Sequence, residues 1–274
     1  MEALIELLPF AGLMLATGVV GGILAGLLGV GGGIVIVPVL DTTLGIVGVD
    51  PAIRMHVAVA TSLATIIPTS ISSSRAHNKR GSVDFALAKR WGPVMFIGSV
   101  VGSLAASEVD SSVLAAVFGA VALLVAIKML LPLENFTLAD DVPRGLAAHM
   151  LPGAIGGLSS IMGIGGGTLS VPVLTLLNQP IHRAVGTAAL FGLMIALPGA
   201  IAFMITGFND ARTPVGSLGY VNLIGFALIS PATVWAAPIG AKIAHGLSKR
   251  QLGMLFGGFL LLVSCRMIYR AILG

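Results

Sequence analysis

LGVGGGIVIVPVL, residues Leu28–Leu40, returns as MGIGGGTLSVPVL, residues Met162–Leu174. Each copy places three consecutive glycines five residues before a proline. Consecutive glycines are poor helix, at about 1 kcal/mol each relative to alanine. Each run therefore predicts a break in the chain, followed by a short helix that carries Pro38 or Pro172.

The surroundings of the two runs set the solvent. Of 274 residues, 56% are apolar and 9% charged, with mean hydropathy +1.04. A soluble domain carries about a quarter charged residues, so this chain cannot cover a water-facing surface. Its apolar runs are continuous and near the roughly 20 residues that a spanning helix needs. A β-barrel would instead show alternating segments of about 10 residues. The expected class is an all-α polytopic membrane protein. The acidic start, with Glu2 and Glu6, does not resemble a cleaved leader. Predicted helices cover residues 9–28, 34–46, 52–74, 91–107 and 111–131, then 146–162, 168–178, 181–206, 219–245 and 249–271. Residues 34–46 and 168–178 are too short to cross the hydrocarbon core of about 30 Å. With the helix before it, each is expected to form a hairpin that turns inside the membrane.

The repetition extends beyond the glycines. AVATSL (Ala58–Leu63) matches AVGTAA (Ala184–Ala189), and a register offset of 138 pairs Asp84 with Asn222, Gly102 with Gly240 and Lys128 with Arg266. Two homologous halves are expected, 1–135 and 145–274, joined by the polar connector 136–144 within ENFTLADDVPR (Glu134–Arg144). Residues Arg75–Arg90 hold five Lys or Arg against Asp84 and are predicted to be a cytoplasmic loop. The stretch around Glu108 and Asp110 has no Lys or Arg and is expected outside. In the second half the bias reverses, with His245, Lys249 and Arg250 in the counterpart of the acidic loop. Equivalent loops on opposite faces predict an inverted-topology repeat, a common transporter architecture. Arg266 and Arg270 fit this scheme poorly, because it puts them outside.

Lipid leaves no partner for freed backbone groups, so irregular backbone persists only beside protein or a wet cavity. Glycine also lets a ligand approach the main chain. The helix that follows points free amides and the positive end of its dipole back at the break, which favours an anion. Short Gly/Pro-interrupted segments at matching places of two halves point to a transporter's binding site. The candidate substrate-binding residues are Gly29, Gly31, Gly32, Gly33 and Ile34, with Gly163, Gly165, Gly166, Gly167 and Thr168. Gly18, Gly22, Gly26, Gly98 and Gly102 are spaced by four and read as packing glycines. Thr61, Ser62 and Thr187 either donate to an oxyanion or bond their own helix backbone. Arg54 and Arg183 open corresponding helices and either meet an anion through the guanidinium fork or snorkel to headgroups. His56 and His182 are expected near the interface, in solvated roles. Asp41 and Asp50 are expected in an outer loop.

Other chemistries find little support. A dinucleotide fingerprint needs a small residue at Ile34, and no P-loop GK[ST] follows. The single cysteine, Cys265, makes neither a disulfide nor a CxxC metal site. No HExxH, GxSxG or Cys/His pair supplies a catalytic constellation. No catalytic residue, metal, cofactor or nucleic-acid partner is expected, and homo-oligomerisation stays open. An anion channel using the same site and a non-transporting membrane partner protein are the alternatives to a carrier.

The doubled G-x-GGG-x4-P motif, each copy followed by AVATSL or AVGTAA, resembles the TauE/SafE family of sulfite exporters and covers nearly the whole chain. The resemblance implies a multi-pass permease of the bacterial inner membrane. It further implies a small sulfur-containing anion, such as sulfite, sulfoacetate or a related organosulfonate, as its solute. Ala188 stands where family members often carry a serine, matched here by Ser62, so the hydroxyls are not expected to form a symmetric pair.

Overall fold

A computed structural model describes residues 2–29, 31–131, 145 and 147–273. The connector 136–144 and Val30 lie outside the described residues. Ten α-helices are present among the described residues: α1 (Glu2–Leu28), α2 (Gly33–Ile46), α3 (Pro51–Asn78), α4 (Phe85–Ser107), α5 (Ser111–Leu130), α6 (Ala147–Ile161), α7 (Gly167–Leu176), α8 (Ile181–Thr206), α9 (Leu223–Ala244) and α10 (Lys249–Leu273). Five of them, α3, α5, α8, α9 and the Arg250–Ile272 part of α10, are long and apolar enough to cross a membrane. The protein is an all-α polytopic membrane protein.

The predicted helices are all present, and the differences lie at their ends. α4 begins at Phe85 instead of residue 91, because the Asp84 carboxylate caps it by accepting the Leu87 N–H at 3.0 Å. Arg75 lies in the last turn of α3, and Lys89 and Arg90 lie in α4, so the basic segment is two helix ends around a short turn. α9 begins at Leu223, not 219. Asn222 caps it by accepting the Gly225 N–H at 2.8 Å, after a two-residue strand pair, β1 (Ser217–Leu218) and β2 (Val221–Asn222). Asp41 is not in a loop. It is buried in α2 and paired with Arg54 (3.2 Å) and Arg270 (2.6 Å). A carboxylate between two guanidiniums offsets part of the charge that α10 brings to this end.

α3 and α8 form the central pair. Leu63 lies opposite Gly199, Ser70 opposite Gly192 and Ser82 opposite Gly186, so the two helices run antiparallel. α9 packs on α3 and α4 on α8; α1 packs on α9 and α6 on α4; α5 packs on α10. The spaced glycines are at these seams. A Cβ on Gly22 would approach the Thr233 carbonyl oxygen to 2.6 Å, and one on Gly102 would strike Gly157. Close backbone approach of this kind is how helices associate in lipid, where apolar burial gives little drive.

Candidate functional site

The two glycine turns meet at the centre of the bundle. Gly31, opposite Ile66 in the middle of α3, faces the Gly165 Cα, where an added Cβ would stand at 3.4 Å. Gly33 faces the Gly163 carbonyl and Ile164. Outward from there, Gly29 abuts the Val185 backbone of α8, and Gly163 abuts the Val59 backbone of α3. The chain reverses at the first turn: Gly32 lies against Gly21 of α1, and α2 returns to the end of the molecule where α3 begins, so α1 and α2 form a hairpin that turns within the bundle.

Among the described residues, Val35 donates to Gly32 O at 3.0 Å at the start of α2, and Ser170 donates to Gly166 O at 2.9 Å at the start of α7. The amides just before them, of Gly33 and Ile34 and of Gly167, Thr168 and Leu169, occupy the helix positions that have no intrahelical acceptor. Hydroxyls crowd the second turn. Thr168 Oγ1, Ser170 Oγ and Ser159 Oγ are fully buried and have no hydrogen-bond partner, and Ser70 Oγ on α3 is likewise orphaned. A buried polar group without a partner costs about 1–3 kcal/mol. Thr168 and Ser170, in the first turn of α7, stand next to the second glycine turn with a hydroxyl proton left to give.

Thr61, Ser62 and Thr187 do not bond their own helix backbone; each reaches another segment. The Thr61 hydroxyl accepts the N–H of Asn222 (2.8 Å), and the Thr187 hydroxyl accepts the N–H of Asp84 (2.9 Å). Each ties a helix of one half to the residue that caps a helix of the other. Ser62 Oγ donates to the Gly163 carbonyl at 2.7 Å and braces the second turn. As acceptors, Thr61 and Thr187 keep a hydroxyl proton to give.

The two arginines stand at opposite ends of the α3–α8 pair. Arg54 is held by Asp41 and, with Arg266 and Arg270, lines a cavity of about 400 Å³ at the outer end of α2. Arg183 pairs with Asp84 at 3.1 Å and is half exposed. Neither is joined to the glycine turns. His56 is buried, not solvated, and bonds the carbonyls of Ala106 (3.1 Å) and Val109 (3.0 Å). His182 stacks on His245, which in turn contacts His77, at the end where Arg183 lies.

Beyond the membrane, the loop before α9 is closed by Asp210. It accepts two hydrogen bonds from the Arg212 guanidinium, at 2.9 and 2.7 Å, one from the Arg212 backbone N–H at 3.0 Å, and one from the Tyr220 hydroxyl at 3.0 Å. The Arg212 guanidinium holds the Asp210 carboxyl well below the usual carboxylate range. Burial, followed by the bond to Asp210, pushes the Tyr220 phenol up to about 12.

The glycine turns are legible in the sequence, and the buried hydroxyls are not: Thr168 belongs to the motif, whereas Ser70, Ser159 and Ser170 fall on ordinary helical positions, with no local pattern to single them out.

The profile of the sulfite exporter TauE/SafE family matches residues 14–267. The chain belongs to this family. Among its relatives, a "Probable membrane transporter protein" of Haemophilus influenzae is 32% identical, over 94% of this chain and 98% of its own. "Probable membrane transporter protein YunE" of Bacillus subtilis is 28% identical over 95% and 98%. A relative in Methanocaldococcus jannaschii, also described as a probable membrane transporter protein, is 27% identical over 93% and 94%. No solved structure matches the chain. This family member is a multi-pass membrane transporter.

Proposed function

We propose that the protein carries a small sulfur-containing anion, sulfite or an organosulfonate such as sulfoacetate, outward across the bacterial inner membrane by alternating access. The site consists of Gly29–Ile34 and Gly163–Thr168, with Thr61, Ser62 and Thr187 beside them. Arg54 and Arg183 act at the two ends, where an anion enters and leaves. The observation that carries this reading is the meeting of the two glycine turns, each at a helix start, with the buried and unpartnered Thr168 and Ser170 hydroxyls beside the second. A sulfonate head, or sulfite taken as the hydrogensulfite monoanion, offers three oxygens and one negative charge. Each helix N-terminus contributes about half a unit charge. Together they offset a monoanion without a buried lysine, whose desolvation would be costly.

The reading includes the inverted repeat. Exchanging equivalent helices turns the α1–α9 seam into α6–α4, turns α3–α9 into α8–α4, and leaves α3–α8 and α5–α10 unchanged. The antiparallel course of α3 and α8, and the paired Thr61–Asn222 and Thr187–Asp84 bonds, support the same operation. An inside-negative potential favours anion export by about 2.3 kcal/mol per charge per 100 mV, so this direction needs no coupling ion.

The test is radiolabelled sulfite efflux from proteoliposomes, with unlabelled sulfite, sulfoacetate, taurine, thiosulfate or sulfate on the opposite side. A carrier of sulfite or sulfonate gives trans-stimulation by those solutes and none by sulfate. Flux that ignores the trans solute points to a channel. Absence of flux and of thermal stabilisation by every anion removes the reading.

A further inference from the structure

A groove of about 790 Å³ runs along the seam between α3 and α9, apart from the glycine turns. Its walls are Pro68, Ile71, Val234 and Pro238, and its far end is ringed by Arg75, Lys79, Arg80 and Lys242. Among the described residues, no Asp or Glu pairs with any of these four cations. The adjoining stripe of α9, Trp235, Ile239 and Ile243, is exposed, so the groove opens where lipid lies. From Pro68 to Lys79 the wall is roughly 16 Å long at 1.5 Å per residue. That length accommodates much of one acyl chain.

The charges are not demanded by the fold. At the register offsets of the two halves, Arg75 corresponds to Ile201, Lys79 to Ile205 and Lys242 to Leu104. Those three counterparts are exposed and apolar. At the equivalent end one copy of the seam is thus apolar at these three positions, while the other ends in a cationic cluster.

We propose that the α3–α9 groove binds an anionic phospholipid, with its phosphate among Arg75, Lys79, Arg80 and Lys242 and an acyl chain along Pro68, Ile71, Val234 and Pro238. Basic pockets between spanning helices recognise such headgroups by charge. The apolar wall favours a lipid over a free phosphate, which has no use for it.

Native mass spectrometry of the purified full chain tests this, with phosphatidylglycerol, phosphatidylcholine or inorganic phosphate added. Wild type is expected to retain phosphatidylglycerol in preference to phosphatidylcholine. Each of Arg75→Gln, Lys79→Gln, Arg80→Gln and Lys242→Gln lowers that preference by up to about fivefold, the equivalent of about 1 kcal/mol per cation. Ile71→Trp fills the groove, keeps every charge and also lowers retention, so the result does not hinge on charge variants that fail to fold. Arg250→Gln, outside the groove, leaves the preference unchanged. Equal retention of both lipids, an equal loss in Arg250→Gln, or displacement of the lipid by millimolar inorganic phosphate overturns the proposal. None of these outcomes depends on sulfite flux, so it stands or falls separately from the transport reading.

Discussion

In the first glycine turn Gly31 and Gly32 are left-handed, with φ of +76° and +82°; in the second, Gly166, the counterpart of Gly32, is right-handed at φ −56°. The same letters adopt two backbone courses in one molecule. Only glycine enters both regions at comparable cost, so the motif suits a segment that has to change course. The side chains differ as well. Around the first turn stand Ile34, Ile36 and Ala25; at the matching places of the second stand Thr168, Ser170 and Ser159. One turn offers bare amides, and the other offers amides with hydroxyls. In the proposed mechanism the anion is bound asymmetrically, and exchange of the two backbone courses turns the site from one side of the membrane to the other.

The largest effect is expected where conformation and crowding coincide. Gly32→Ala forces a Cβ into the left-handed region, 2.8 Å from the Gly21 carbonyl oxygen. Strain and overpacking together cost roughly 3 kcal/mol. Gly48 supplies the control: its φ is +79°, but it has open space around it, so Gly48→Ala carries the strain alone, about 1–2 kcal/mol. Thermal unfolding in detergent orders the two. If they fall equally, the close approach of the first turn to Gly21 of α1 is not what requires glycine at position 32. Gly166→Ala adds no φ strain and meets Phe191 Cβ at 2.6 Å, so its cost measures crowding alone.

Next comes the hydroxyl asymmetry. Thr168→Val keeps the shape and deletes an unpartnered buried donor. The protein without ligand is expected to melt at the same temperature or higher. Its affinity for sulfite falls roughly tenfold to a hundredfold, the loss of one hydrogen bond to a charged group. Ile34→Thr is the converse, placing a hydroxyl at the first turn. Titration by thermal shift reads both variants. Unchanged sulfite affinity in Thr168→Val would remove the hydroxyl side of the site and leave only amides.

A smaller change concerns the brace. Ser62→Ala leaves the Gly163 carbonyl without its partner and is expected to cost about 1 kcal/mol of stability. Its counterpart in the second half is already Ala188, so Ala188→Gly tests a position with no hydroxyl to lose. Melting curves should separate the two through the polar term.

How far the sequence carried this comparison follows from what each level depends on. Helix positions were legible because lipid imposes long apolar runs, and the two breaks were legible because consecutive glycines have no other use there. The starts of α4 and α9 were misplaced by several residues, because Asp84 and Asn222 act as caps within polar stretches that read as loop. Asp41 reads as an outer-loop acid until Arg270, 229 residues away, is brought against it. The roles of Thr61 and Thr187 were hidden for the same reason, since their partners belong to the other half of the chain. The orphaned hydroxyls are defined by missing partners, and that is a property of packing.

The smallest effect lies outside the membrane, where the halves differ again. The turn before α4 is short and held by Asp84, whereas the longer loop before α9 is closed by Asp210 through Arg212 and Tyr220. The folded state lowers the Asp210 pKa. Its contribution is therefore full above the ordinary aspartate value of about 3.9 and disappears as pH falls through the folded value. Asp210→Asn removes this contribution. The variant should melt slightly below wild type at pH 7, and the gap should narrow as the pH is taken below about 4. Arg212 is exposed and solvent screens the pair, so the gap at pH 7 is expected to be smaller than those of Gly32→Ala and Ser62→Ala. A gap that widened in acid would mean that Asp210 is held as the neutral acid, with Tyr220 accepting instead of donating. The loop would then have to be closed by something other than the Arg212 pair.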